Sequence, residues 1–235
     1  MSRLAIVIIG DEILSGKFAE ENAAYAIPLL RQAGATVGRV CVIPDQIDVI
    51  ADEVARCSSA FDWVITSGGV GPTHDDITYV GVAAAFGLPV VRNAEVAALF
   101  EAHGVPMTGA AGRMADLPAG SIVERVEAGG EPIVRTQNVL ILPGVPRLFQ
   151  RKLQALLPRF AGPPLHVARV LTHEHEAHFA TALTAIAAAS PAVAIGSYPR
   201  FEDGAYHTIL TLESLDADEL ARVTDQVRAL FAPAS

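Results

Sequence analysis

The chain has 235 residues, 51% of them hydrophobic and 6% aromatic, enough for one large domain or two small ones with a core of Ala, Val, Leu and Ile. A net charge of −9 and a pI near 5.2 exclude the broad basic face that general nucleic-acid binding needs, while a local pocket can still take a small anion. The start, MSRLAIVIIGDE, holds an apolar run too short for a membrane span and no cleavage-site pattern, so no membrane association and a cytoplasmic location are expected.

Taken in order, Leu4 to Ile9 is a continuous apolar run and predicts a central parallel strand. It ends at Gly10-Asp11-Glu12. The following GDEILSGK is not a phosphate loop: one residue too many separates Gly10 from Gly16-Lys17, and Phe18 stands where Ser or Thr would be needed. No GxGxxG follows either. Helical spacing over Asn22 to Ala33, ended by Gly34, precedes a strand from Thr36 to Ile43. Pro44-Asp45 closes that strand, and a helix is predicted from Ile47 to about Ala55. Cys41 and Cys57, in these apolar patterns, read as buried thiols with no demand for an oxidising compartment.

Phe61 to Gly87 is the most informative stretch. Trp63-Val64-Ile65 reads as a buried strand, Ser67-Gly68-Gly69-Val70-Gly71-Pro72-Thr73 as a glycine loop, and Ile77 to Phe86 as an alanine-rich helix. Strand, glycine loop, helix is an arrangement that cradles phosphate, through close backbone approach and a helix N-terminus that favours anions. His74-Asp75-Asp76 then places two carboxylates where the anion would arrive. Adjacent residues do not share a face, so one Asp is expected to cap the helix and the other to face the ligand. A carboxylate beside a phosphate implies a divalent metal between them, a neutral group to polarise, or a proton to take.

Further on, Leu88 to Val91 predicts a short strand and Ala94 to His103 a helix. Gly104 to Gly120 reads as a surface excursion with a helical turn at Gly112 to Ala115. Ser121 to Glu124 and Ile133 to Thr136 are short strands around a polar break at Glu127 to Glu131. Val139 to Leu142 is a fourth strong strand, ended by Pro143-Gly144-Val145-Pro146 and followed by a helix from Arg147 to about Leu157. Ala161-Gly162-Pro163-Pro164 marks a boundary between domains at 1–160 and 165–235. The second carries a strand at Val167 to Leu171, a helix at Ala177 to Ala189, strands at Ala192 to Ile195 and Tyr206 to Leu212, and a helix at Ala217 to Phe231. This small α+β unit resembles part of a ferredoxin-like fold. Thr172 to His178 (THEHEAH) lacks the HExxH spacing and reads as a polar helix start rather than a metal site.

Alternating strands and helices predict a doubly wound α/β sheet, with ligands beyond the carboxyl ends of its strands. Gly10-Asp11-Glu12, Pro44-Asp45, Ser67 to Asp76 and Pro143 to Pro146 all fall at such ends. They place Asp11, Glu12, Asp45, Asp75 and Asp76 on one rim beside the glycine loop, a setting for metal-assisted pyrophosphate chemistry. Each segment also has a plainer role. Asp45 can cap the next helix, Asp11 and Glu12 can be solvated turn residues, and Pro143 to Pro146 can be a rigid turn. Lys17 can reach a phosphate or lie solvated.

GGVGPTHDDIT, with Gly68-Gly69-Val70-Gly71-Pro72-Thr73 and then Asp75-Asp76-Ile77-Thr78, resembles the signature of the molybdopterin-binding (MogA/MoaB-like) fold. The agreement is closest with its CinA-like branch and with the N-terminal domain of eukaryotic FAD synthases. Gly10 to Leu14 with Gly16, Asn22, Val42 to Asp45, Leu142 to Pro146 and the later Gly196-Ser197-Tyr198-Pro199 extend the likeness over nearly the whole chain. The resemblance implies a three-layer αβα sandwich with a small C-terminal α+β domain, and a homo-oligomer, dimer or trimer. It implies that Asp45 and Asp76 are functional aspartates. It also implies metal-dependent attack on the pyrophosphate of ADP-ribose or FAD, with magnesium or cobalt as cofactor and potassium as a further candidate. No amidase domain and no FAD-synthase catalytic domain are recognised, so neither deamidation nor FAD synthesis is expected.

The expected function is hydrolysis of a nucleotide pyrophosphate. Asp76, Asp45 and Glu12 are the expected catalytic residues, and Asp76, Asp45 and Asp75 the metal ligands. Gly10, Asp11, Ser67, Gly68, Gly69, Gly71, Pro72, Thr73, Thr78, Pro143 and Gly144 are the expected substrate contacts. The alternatives are a module that binds molybdopterin or a nucleotide without turnover, and a molybdopterin adenylyltransferase.

Overall fold

A computed structural model of the protein describes residues 1–125, 132–202 and 205–231. The chain divides into two compact units, Met1–Gly162 and Pro163–Ser235. In the first, β1 (Arg3–Ile9), the one-turn α1 (Asp11–Leu14) and α2 (Asn22–Gln32) lead to β2 (Thr36–Ile43). Next come α3 (Ile47–Ala60), β3 (Trp63–Ser67), α4 (Thr78–Ala85), β4 (Val90–Arg92) and α5 (Ala94–Ala102). A 3-10 helix, Gly109–Ala115, precedes β5 (Asp116–Pro118), β6 (Ile122–Glu124), β7 (Ile133–Thr136) and β8 (Val139–Leu142), and α6 (Pro146–Leu156) follows.

Six of these strands form one sheet in the order β2-β1-β3-β8-β7-β6. β1 runs parallel to β2 and β3, and β3 parallel to β8; β7 and β6 add an antiparallel margin. The sheet is buried on both faces because β1 has no polar side to its alternation. Ala5, Val7 and Ile9 enter one apolar cluster with Ile50, Val54, Val82 and Val96 from α3, α4 and α5. Leu4, Ile6 and Ile8 enter the other, with Ala26 and Leu30 of α2 and Phe149 and Leu153 of α6. A period-two strand that is apolar without a break from Leu4 to Ile9 makes a three-layer αβα arrangement.

Several elements differ from the sequence expectation, each for a local reason. α3 continues past Ala55 to Ala60, because Ile50, Val54 and Cys57 extend one buried stripe along it. Of the two cysteines, Cys57 is buried but Cys41 only half-buried. Their thiols both approach Glu53 Oε1, at 3.3 and 3.4 Å. The stretch 104–120 is not simply a surface excursion. Met107, Ala115 and Leu117 are buried, and β5 pairs antiparallel with β4, which starts at Val90 rather than Leu88. The polar break at 127–131 lies outside the described residues.

The second unit contains β9 (His166–Thr172), α7 (Glu176–Ala189), β10 (Ala194–Glu202), β11 (Ala205–Ser214) and α8 (Ala217–Ala229). Its antiparallel sheet has the order β10-β11-β9. Val170, Leu210 and Leu212 pack there against Phe179, Val223 and Val227. β10 runs on past Ile195 to Glu202 as an edge strand, the place in a sheet where a proline such as Pro199 is tolerated. The THEHEAH run starts α7: His175 is the N-cap, and its Nδ1 accepts from the Ala177 N–H at 3.3 Å. Among the described residues no helix is long and apolar enough to cross a membrane.

Candidate active site

β2 lies on one side of β1 and β3 on the other, so consecutive crossovers part at the carboxyl ends of β1 and β3. That parting opens the crevice in which doubly wound sheets place ligands. Here it is a cavity of about 770 Å³. Its lining includes Glu12 after β1, Asp45 after β2, Ser67 to Gly71 with Asp75 and Asp76 after β3, and Pro143 to Pro146 after β8. All four strand-end segments thus meet at one site.

The glycine loop is shaped by contacts that only glycine permits. Gly68 has φ +111°, and a Cβ there would stand 2.1 Å from the Ile9 carbonyl oxygen. Gly69 has φ +63°, and its Cβ would stand 2.3 Å from Thr78 Oγ1. The buried Thr78 hydroxyl donates to the Gly68 carbonyl at 2.8 Å, and the Thr78 N–H to the Gly69 carbonyl at 2.9 Å. The Gly68 N–H donates to Leu142 O at 3.2 Å, so this glycine fixes the turn and leaves donation to later residues of the loop. Asn22, at the start of α2, ties two sides of the cavity together. Its Nδ2 donates to Ser67 Oγ at 2.9 Å and to Gly144 O at 2.8 Å. Its Oδ1 is buried and accepts nothing.

The expected division of labour between Asp75 and Asp76 does not hold as stated, since neither caps α4. Its N-cap is Ile77, with no side-chain bond. Asp76 instead folds back on the loop, and its Oδ2 accepts from the Thr73 N–H at 2.7 Å and from the Thr73 hydroxyl at 2.5 Å. The Thr73 side chain also lies close enough to Asp75 to hold that carboxyl below its ordinary pKa, so it serves both aspartates. This closed turn satisfies the Asp76 carboxylate locally, which a cap on α4 would have done at the next residues along. Asp75 stays exposed at the rim.

Asp45 does not cap α3, whose N-cap is Gln46. Its Oδ2 accepts from the Asp11 N–H at 2.8 Å, joining the ends of β1 and β2. Burial raises its pKa above the ordinary carboxylate value, and the charges of Glu12, Asp11 and Asp75 push the same way, against the lowering effect of the Asp11 N–H. Ionising Asp45 therefore costs the native state at neutral pH, and the cost disappears below the unfolded-state pKa. The Asp45→Asn variant is expected to melt at a higher temperature than wild type at pH 7, with the gap closing as pH falls through the acid range. Parallel thermal melts from pH 7 to pH 3 check this.

Of the other expected contacts, Gly10, Asp11, Pro72, Thr73 and Thr78 do not line the cavity. They support it, as the Asp11 N–H and the Thr78 hydroxyl do. Lys17 is exposed and away from the lining. Sequence reading missed Tyr79, Phe100 and Met114, an apolar wall drawn from three elements, and Lys152 of α6. Among the described residues no group of three His, Cys, Asp or Glu side chains is spaced to hold a metal ion. Asp45, Asp75, Asp76 and Glu12 fit a cation only if ligand oxygens complete its shell, which suits magnesium-like ions bound with phosphates.

Residues 5–162 match the family model described as "Probable molybdopterin binding domain". The chain belongs to the molybdopterin-binding domain family. Residues 164–235 match a second model, "FAD synthase, middle domain". A protein of Archaeoglobus fulgidus is 34% identical over 195 residues, covering 83% of this chain and 85% of that protein. A "Probable FAD synthase" of Caenorhabditis elegans is 33% identical over 257 residues, with 97% of this chain covered but only 50% of that protein. Among solved structures, the CinA protein of Thermoplasma acidophilum, described as of unknown function, superposes with a TM-score of 0.61 at 29% identity. It covers 68% of this chain and 98% of its own.

Proposed function

We propose that this protein is a metal-dependent hydrolase of a nucleotide pyrophosphate, with ADP-ribose or an FAD-like dinucleotide as substrate. The observation that carries the reading is the single cavity in which Glu12, Asp45, Asp75 and Asp76 face a glycine loop at the strand ends. Carboxylates alone would repel a pyrophosphate, so a cation belongs between them. A divalent metal bound there would neutralise phosphate charge and lower the pKa of a bound water. In this reading Asp76 and Asp45 hold that ion, Asp75 adds a rim ligand, and Glu12 takes the proton from the attacking water. Gly69 and Gly71 offer backbone N–H groups to the phosphates, on a turn that Gly68 and Thr78 hold in shape. A volume of about 770 Å³ lies within the range of sites for ligands of this size. The likeness to proteins named as FAD synthases supports a dinucleotide in particular.

The test is chromatography of purified protein incubated with ADP-ribose and with FAD, each with magnesium, cobalt or a chelator. AMP release that needs the metal is expected. No AMP under any of these conditions would overturn the reading.

A second reading, capture of a pterin or nucleotide without turnover, is favoured by the lack of a closed metal cage among the described residues. Tight molybdopterin binding with no product would decide for it.

A further inference from the structure

The cavity passes over the ends of the strands from one face of the sheet to the other. Phe100 of α5 and Met114 of the 3-10 helix line it from the layer of the first apolar cluster. Ile13 of α1 lines it from the layer of the second cluster, on the opposite face, and Phe18 follows a few residues on. The glycine loop comes after β3, a central strand, so it stands between these two walls with Asp45, Asp75 and Asp76. The lining is therefore apolar, then polar and acidic, then apolar again. A ligand that matches it has a charged middle and an apolar group at each end, and the phenyl rings favour planar groups.

Phe18 is the unusual member of this lining. It is 67% exposed and enters none of the three apolar clusters of the described residues. A single exposed aromatic residue is ordinary on an open surface, but this one lines the cavity. Its backbone is well held. The Lys17 and Phe18 N–H groups both donate to the Glu12 carbonyl, at 3.0 and 3.3 Å, and Gly16 turns the chain there at φ +72°. Glu20 Oε1 accepts from the Ala23 N–H at 2.8 Å, which ties the other end of the segment to the start of α2. A fixed apolar surface in a binding cavity, outside every core, gains by being covered with a ligand.

We propose that Phe18 is the stacking platform for a second planar ring of the ligand, so that the cavity prefers a dinucleotide with a ring at each end to one that ends in a bare ribose. The proposal rests on the reading that the glycine loop takes a pyrophosphate. The half-buried wall of Phe100 and Met114 takes the adenine that FAD and ADP-ribose share. The open position of Phe18 takes the ring they do not share, since a tricyclic flavin needs room at the mouth. An aromatic face stacks on any flat π system, so it adds affinity for the ring without reading its edges.

FAD and ADP-ribose have the same ADP half, so the difference in their affinities reads the second ring. Calorimetry is done with calcium, a larger ion of looser coordination, in place of magnesium, and chromatography of the same samples checks that both ligands stay intact. Wild type is expected to bind FAD about tenfold or more tighter than ADP-ribose, the scale of one stacked base. Phe18→Ser is expected to lose that preference, with ADP-ribose affinity within about twofold of wild type and an unchanged thermal melt. Phe18→Tyr, which keeps the ring, should keep the preference. Equal affinity of wild type for the two ligands, or equal loss of both in Phe18→Ser, would overturn the proposal. A Phe18→Ser variant that keeps the FAD preference would also overturn it, and a lower mass by light scattering would then assign Phe18 to a contact between copies of the chain. An FAD preference that depends on Phe18, with no AMP release from FAD or ADP-ribose in magnesium or cobalt, would keep this inference and sink hydrolysis. Metal-dependent AMP release with no preference between the two ligands would do the reverse.

Discussion

Asp76→Asn is expected to lower AMP release from ADP-ribose by at least about a hundredfold, the scale seen when a positioned charge-stabilising group is lost, while leaving the fold intact. The geometry separates the two effects. Asp76 Oδ2 accepts from the N–H and hydroxyl of Thr73, and an asparagine carbonyl oxygen accepts the same two bonds. What asparagine lacks is the charge that would hold a divalent ion against the glycine loop. Steady-state kinetics across a magnesium titration, beside a thermal melt, checks this. Lost turnover with an unchanged melt is the expected result; full turnover with unchanged metal dependence would remove Asp76 from the chemistry.

Gly68→Ala is expected to be the most damaging small substitution in the first unit, at about 3 kcal/mol. Its φ of +111° is strained for any L side chain, and its Cβ would be driven to 2.1 Å from the Ile9 carbonyl. That oxygen belongs to the end of the central strand, so relief would require β1 and β3 to part. Gly87→Ala is the control. It also has a positive φ, +63°, but nothing lies within 4 Å of its Cβ, so the expected cost is only about 1 kcal/mol. Trp63 of β3 is the only tryptophan in the chain, and its fluorescence during urea unfolding reports on this unit for both variants. Equal midpoint shifts for the two would show that backbone conformation, not the contact with Ile9, makes Gly68 necessary.

Much of the arrangement was readable because it follows from short-range rules. From Leu4 to Ile9 β1 carries an apolar residue at every position, which only a strand covered on both faces can use, and the two clusters on either side of it bear this out. The loop from Ser67 to Asp76 declared itself through glycines whose positions are forced by Ile9 and Thr78. What stayed hidden depends on tertiary partners. Asp45 stands where a helix cap would, and nothing local says that its carboxylate turns to the Asp11 N–H instead. Asp76 follows a Thr-His-Asp run that reads as a cap, yet it closes a turn on Thr73. Lys152 reads as an ordinary polar residue of an amphipathic helix until its place on the buried face is seen. Its spacing of three from Phe149 was the available signal. The apolar wall of Tyr79, Phe100 and Met114 could not be read at all, since those residues meet only when α4, α5 and the 3-10 helix pack together.

The measurement that bears most directly on the central claim is hydrolysis of ADP-ribose in water enriched in oxygen-18, with magnesium and with chelator, read by mass spectrometry of the products. Attack by water on the pyrophosphate puts one heavy oxygen into the phosphate of either AMP or ribose 5-phosphate for every bond cleaved, and only when the metal is present. Products without the heavy oxygen, or no products with any metal, would contradict it.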